Sequence, residues 1–231
     1  MFQNNKLILL LFLFINQINA QKLEILADSV FVDSVYIKIN ELKISSNTKL
    51  PLSVYKIFQD YSRVFEKPFL GFPEKRLKAK IDTLNLYVRE KVLAEKYSGF
   101  EEYQIYMVKN NIINFAIITY YYSSLKEDWD YFLIDLATGK RIESNLFINP
   151  KNVLKICKSK LKENGFNWHV SVKDLKNFQF IKNENNSVTG LDIIFFDDDY
   201  TKRKYEPSTW VHFSWKEIEK CISPLFTNRL K

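Results

Sequence analysis

The most restrictive feature of this sequence is the run Ile112-Ile113-Asn114-Phe115-Ala116-Ile117-Ile118, almost every side chain of which is apolar. A half-exposed strand would alternate polar and apolar residues. A short, β-branched and nearly continuous apolar run instead fits a central strand covered on both faces. Its neighbours supply its partners. Gln104 to Val108 precedes it across Asn110-Asn111, residues that tolerate positive φ and so suit a tight hairpin turn. The run itself extends from Ile112 to Tyr122, and Trp129 to Leu136 follows as a third β-rich stretch. Ala137-Thr138-Gly139-Lys140 then turns the chain. The pattern predicts an antiparallel meander.

Helices are expected on either side of it. Between Glu74 and Tyr97, Leu77, Ile81, Leu84, Val88 and Val92 recur at helical spacing as one apolar stripe, with Lys78, Lys80, Arg89, Glu90 and Lys91 on the other faces. Upstream, Val35 to Ile44 alternates as a strand, with Val35, Ile37 and Ile39 on one side and Tyr36, Lys38 and Asn40 on the other. Residues 45–73 carry Pro51, Pro68, Gly71 and Pro73 and read as loop, with a short helix from Val54 to Tyr61. Downstream, Asn149-Pro150 starts a helix that bears Val153, Leu154, Ile156, Cys157 and Leu161 and stops at Gly165. Ser171 with Asp174 marks a capped turn. Phe178 to Lys182, Val188 to Phe196 and Trp210 to Phe213 read as strands. Ser214 to Glu217 is a capping box for a last helix, which bears Ile218, Cys221 and Ile222 and ends at Pro224. The expected fold class is α+β. An antiparallel meander sheet is packed by a long helix, with further C-terminal strands and two shorter helices, all in a single domain over 21–231.

The N-terminus reads as a secretion signal over 1–20. Lys6 precedes an apolar run from Leu7 to Ile15, and a polar exit leads to Ile18 and Ala20 at the −3 and −1 positions of a cut before Gln21. The run is shorter than the roughly 20 apolar residues that span a bilayer, so a periplasmic or secreted protein with no stable membrane span after cleavage is expected; an uncleaved N-terminal anchor is the other reading. The formal net charge of +7 allows attraction to anionic envelope polymers or phospholipid head groups, or simply solvated helix faces. Export argues against a nucleic-acid partner. Cys157 and Cys221 form no CxxC motif; a disulfide between them and two buried thiols are both open readings.

Catalytic signatures are absent. The two histidines, His169 and His212, have no second ligand at metal spacing, so no metal site is expected. Asp197-Asp198-Asp199 lacks a following Gly to fold a calcium loop and lies beside Lys202-Arg203-Lys204. Glu101, Glu102, Asp128 and Asp130 flank the meander as carboxylates that a glycosidase would need in pairs. No cofactor motif appears, and enzymatic activity is unsupported. Aromatic residues are the better candidates, because flat rings stack on sugars and anchor interfaces. Tyr121, Trp129, Trp168 and Trp210 are the expected ligand-binding residues.

The segment Tyr131-Phe132-Leu133-Ile134-Asp135-Leu136-Ala137-Thr138-Gly139-Lys140 is followed by Leu146-Phe147 and a helix. Phe178, Phe180, Gly190-Leu191, Ile193, Phe195 and the closing strand and helix, Val211 to Cys221, come next. Over Leu77 to Pro224 this order resembles a domain-of-unknown-function family of the bacterial cell envelope. Its members include the ectodomain of the sigma-V anti-sigma factor, which binds lysozyme, and a domain appended to peptidoglycan deacetylases. The stretch from Asp197 to Thr209 is longer and more charged than the family's loop there, and a basic chain is a poor electrostatic match for basic lysozyme, so neither that contact nor that partner carries over. The resemblance implies an exported, non-catalytic binding module that recognises peptidoglycan or an envelope protein. A hydrolase or hydrolase inhibitor acting on envelope glycans is the alternative, and a structural interaction protein with no small ligand is the third class.

Overall fold

Asn110 and Asn111 both adopt left-handed backbone angles, with φ of 46° and 62°. That conformation closes the two-residue turn between strand β3 (Phe100–Lys109) and strand β4 (Ile112–Tyr120). In the computed structural model, which describes residues 22–32, 35–45, 52–61, 71–93, 100–120, 127–196 and 208–230, the meander continues through β5 (Glu127–Asp135) and the short β6 (Lys140–Arg141). Gly139, at φ 67°, supplies the left-handed residue of the β5–β6 turn. The strand order is β3-β4-β5-β6, and every residue of β4 from Ile112 to Thr119 is buried, as its composition predicts.

The N-terminal part is a long hairpin of β1 (Lys22–Val32) and β2 (Val35–Ser45). Strand β1 was not foreseen. Most of its middle residues, from Glu24 to Ser29, are exposed or only part-buried, so its sequence carries little alternation to read. Strand β2 changes role along its length. Ile37 and Ile39 pack toward helix α2 (Pro73–Arg89), whereas Leu42 and Ile44 join Phe115 and Phe132 of the meander in a second core. The helix expected after residue 50 is α1 (Leu52–Tyr61). Its Val54 and Phe58 lie on that second core, and Phe58 meets Phe115 edge to face at 5.3 Å.

Helix α2 departs from its expected phase. Its buried residues are Pro73, Arg76, Lys80, Thr83 and Leu84, so Lys80 faces inward rather than lying on an outer face. The cause is a pair of glutamates on the strands beneath. Arg76 Nη2 donates to Glu41 Oε1 at 2.7 Å, and Lys80 Nζ lies 2.7 Å from Glu101 Oε2 and 3.2 Å from Glu41 Oε2. The apolar residues Leu77, Ile81 and Val88 sit part-buried at the edge of this face.

The C-terminal half is a three-stranded sheet, β7 (Phe178–Lys182), β8 (Val188–Phe196) and β9 (Ser208–Ser214), in that order. Helix α3 (Pro150–Glu163) lies over one face, inserting Val153, Leu154, Cys157 and Leu161 into the core. Its start matches expectation: the Asn149 side chain accepts from the Asn152 N–H, and Pro150 takes the first position. Cys157 and Cys221 are both free thiols, and burial pushes Cys157 up to about 12. The Ser214–Glu217 capping box opens α4 (Trp215–Ile218), followed by a 3₁₀ turn over Glu219–Cys221. Pro224 does not end the fold but begins a further helix, α5 (Pro224–Leu230), as proline at a first helical turn can. Phe226 and Leu230 of α5 are buried in the same core.

Asn114 joins the two sheets. Its Nδ2 donates to Phe132 O at 2.9 Å and Phe178 O at 2.7 Å, and its Oδ1 accepts from Phe180 N at 2.8 Å. The lone polar residue of the apolar run thus fastens strand β7 across strand β4.

Candidate functional site

Beside the Asn114 fastening, the four-stranded and three-stranded sheets flank a cleft of about 500 Å³. One wall comes from β3 and β5. Alternate residues of a strand point to one face, so Glu127, Trp129 and Tyr131 of β5 line the cleft together, beside Gln104 and Tyr106 of β3. The other wall is Gln179 of β7, Asp192 and Ile194 of β8, and Ser208 and Trp210 of β9. Ile194 pairs with Trp210, and Asp192 with His212, across the β8–β9 ladder.

A register shift in β3 between Ile105 and Met107 shapes the first wall. Met107 lies opposite Asn114 and packs in the C-terminal core, while the neighbouring Tyr106 lies in the cleft cluster with Ala116, Tyr131 and Ile194. Such a bulge re-aims one side chain without ending the strand.

The rings form a stepped platform. Tyr106 and Tyr131 stack at 6.3 Å with 12° between their planes, and Trp129 stacks on Tyr131 at 6.0 Å and 21°. Trp210 stands on the opposite wall, 62% exposed. Burial raises the Tyr131 hydroxyl to about 12; its hydrogen bond with Tyr106 works against that, and the charges of Glu127 and Asp192 reinforce it. Burial raises Tyr106 further still, with Tyr131 adding to the effect. Both phenols are therefore neutral hydrogen-bonding groups at any ordinary pH.

Two carboxylates are held at this cleft. Glu127 Oε1 accepts from the Trp129 indole N–H at 2.9 Å. Asp192 Oδ1 lies 2.7 Å from His212 Nδ1. The His212 ring passes over Gly190, where a Cβ would meet His212 Cε1 at 3.0 Å and Phe213 O at 2.9 Å. Glycine at 190 thus leaves room for the imidazole to reach Asp192.

The candidate residues from sequence distribute unevenly. Trp129 and Trp210 are brought together in the cleft. Trp168 is not with them: it is part-buried against the C-terminal core and packs on Phe166 at 5.1 Å. Tyr121 and the Asp197–Asp199 cluster lie outside the described residues. The four flanking acids do not converge. Glu101 is sealed against Lys80, Glu102 accepts from the Tyr120 hydroxyl at 3.5 Å, and Asp128 and Asp130 alternate with the cleft residues of β5 and so point to its other face. Glu127 and Asp192 were missed. The i, i+2, i+4 series Glu127, Trp129, Tyr131 is the signal that would have found the first wall. Among the described residues, no group of three or more His, Cys, Asp or Glu is placed to hold a metal ion, and no helix is long and apolar enough to cross a membrane.

The fold and the cleft together define a class: a three-sheet α+β module with an aromatic cleft between its four-stranded and three-stranded sheets. Its fold is shared with known structures. A DUF3298 family member from Bacteroides fragilis superposes with a TM-score of 0.56 at 12% identity, over 93% of this chain and 98% of that one. A DUF3298 family protein from Pseudomonas aeruginosa gives a TM-score of 0.46 at 8% identity, over 90% and 96%. The first of these shows that this chain has the fold of a bacterial domain of unknown function. No protein-family model matches the chain, and no curated protein does.

Proposed function

We propose that this chain is an exported, non-catalytic binding module of the bacterial cell envelope, and that it holds peptidoglycan glycan in the cleft between its four-stranded and three-stranded sheets. The observation that carries the reading is the convergence of Trp129 and Trp210, from separate sheets, on one cleft floored by the Tyr106–Tyr131 pair. A pyranose ring has an apolar face that stacks on such rings and hydroxyls that bond amides and carboxylates, which Gln104, Gln179, Glu127 and Asp192 supply. The signal-like segment 1–20 supports export.

A second reading, a hydrolase of envelope glycans, is favoured by one feature: Glu127 and Asp192 line the same cleft, and paired carboxylates are the machinery of glycoside hydrolysis. One experiment separates the two. The purified protein is sedimented with insoluble peptidoglycan at low and high salt while the supernatant is assayed for released fragments. Salt-resistant binding without fragments, lost in Trp210→Ala, is the expected result. Released fragments would establish the hydrolase. Binding that vanishes with salt would defeat the peptidoglycan reading and direct the search to an envelope protein.

A further inference from the structure

We propose that the cleft selects sugars carrying a free ammonium: de-N-acetylated 2-amino sugars rather than their N-acetylated counterparts. This rests on the glycan reading above and adds the charge of the preferred ring. The starting point is a reversal of sign. The chain as a whole carries a formal net charge of +7, yet the described residues that line the cleft include Glu127 and Asp192 and no lysine or arginine. A module evolved only to hold anionic polymers through its surface charge would place cations at this aromatic opening. Among its described lining residues, this opening carries carboxylates and no ammonium or guanidinium, in a chain that is basic overall.

The geometry suits an ammonium in two ways. Trp129, the part-buried end of the aromatic platform, offers an indole ring, and the negative quadrupole of an aromatic face attracts a cation within about 6 Å of the ring centroid. Glu127 adds a charge-assisted acceptor beside that platform, its Oε1 fixed by the Trp129 indole N–H at 2.9 Å. Asp192 Oδ1 is already engaged with His212. Glu127 is therefore the carboxylate that a ligand cation would meet with least rearrangement. An N-acetyl group has no charge for either carboxylate and would leave Glu127 with no counter-ion.

The test is calorimetric titration of the full chain with glucosamine oligosaccharides and with N-acetylglucosamine oligosaccharides of equal length, at low and moderate salt. The unacetylated series should bind about tenfold tighter, equivalent to about 1.4 kcal/mol. Glu127→Gln should weaken the unacetylated series more than the N-acetylated one and so reduce that preference several-fold. Glu127 is exposed, so the variant should keep the fold. The chain's overall positive charge opposes a polycation, so a preference of this sign cannot come from bulk electrostatics. Equal or tighter binding of the N-acetylated series would overturn the inference and leave the glycan reading standing. The inference also falls, and the glycan reading stands, if Glu127→Gln leaves the preference intact. Binding of neither series would overturn both.

Discussion

Two regions of this molecule set carboxylates against aromatic rings, and they use them in opposite ways. At the seam between α2 and the strands, Glu41, Glu101, Arg76 and Lys80 are each no more than 1% exposed, with Tyr103 donating to Glu41 and the Lys80 ammonium 5.9 Å from the Tyr103 ring. In the cleft, Glu127 and Trp210 are open to solvent, and the lining carboxylates have no lysine or arginine beside them among the described residues. The seam is matched, two acids to two bases, and closed. The cleft is unmatched and open. Burial alone would push Lys80 down, but Glu101, Tyr103 and Glu41 outweigh it and hold its ammonium above the ordinary lysine range. Charges balanced in this way specify how a helix docks; charges left unbalanced at an opening are available to something else. Perturbing each region should therefore give different readouts.

The seam should show the largest effect. Removing one partner of a buried ion pair leaves the other charge uncompensated, so Lys80→Met should destabilise the protein by about 3–5 kcal/mol in urea or guanidinium unfolding. Adding Glu101→Gln to Lys80→Met should recover part of that loss, since the double variant removes the stranded charge. A loss below about 1 kcal/mol for the single variant would mean that water reaches the seam, and the contrast with the cleft would collapse.

Next comes the fastening between the sheets. Asn114→Ala leaves Phe178 O and Phe180 N without the side chain that serves them, and each buried unsatisfied group costs about 1–3 kcal/mol. Because the cleft opens where this fastening ends, the variant should also weaken any ligand binding, unlike changes at the seam.

These two regions were unequally legible in the sequence. The meander, its Asn110-Asn111 turn, the Asn149 and Ser214 caps and the strands at 178–182 and 188–196 follow from local rules: periodicity, positive-φ residues and caps act within a few positions of themselves. What was misread depends on distant partners. Lys80 reads as a solvent-facing residue of an amphipathic helix because its partners Glu41 and Glu101 are 39 and 21 positions away. Pro224 reads as a stop because nothing local says that Phe226 and Leu230 have a core to enter. The cleft was half legible. Trp129 and Trp210 were expected as ligand-binding aromatics, but their meeting depends on how two separate sheets pack. Trp168 lies in the coil after α3 rather than on a strand, and it packs on Phe166 against the C-terminal core instead.

A smaller effect is expected at the clamp that pins α5. Arg229 holds Asp135 through both terminal guanidinium nitrogens, at 3.0 and 2.8 Å, and also donates to the carbonyls of Asn110 and Asn111. Burial would raise the Asp135 carboxyl, but the Arg229 bonds and the Ala137 N–H bring it below its ordinary 3.8. A depressed carboxyl contributes stability above its unfolded value and loses it as pH falls through the folded one. Asp135→Asn should therefore cost about 1 kcal/mol near neutrality, where the pair is partly screened by solvent. The gap between variant and parent should close below pH 3.8 in unfolding curves taken across the acid range. A gap that stays constant with pH would show that the bond geometry, not the charge, carries the clamp.

The smallest stability effect should fall on the residue on which the proposed binding most depends. Trp210 is 62% exposed on a strand whose inward residues Thr209, Val211 and Phe213 are all buried, so Trp210→Ala removes little core contact and should shift stability by less than about 0.5 kcal/mol. Trp168→Ala, which truncates a ring packed on Phe166 and the C-terminal core, should destabilise measurably and leave cleft binding intact once the protein is folded. The two tryptophan variants thus invert each other: one keeps stability and loses glycan retention in the sedimentation assay, the other does the reverse. If Trp210→Ala bound peptidoglycan as well as the parent, the exposed ring would be an ordinary surface residue and the cleft would lose its claim. The contrast between a charge network that builds the fold and one that serves a ligand would then have to be drawn elsewhere on the molecule.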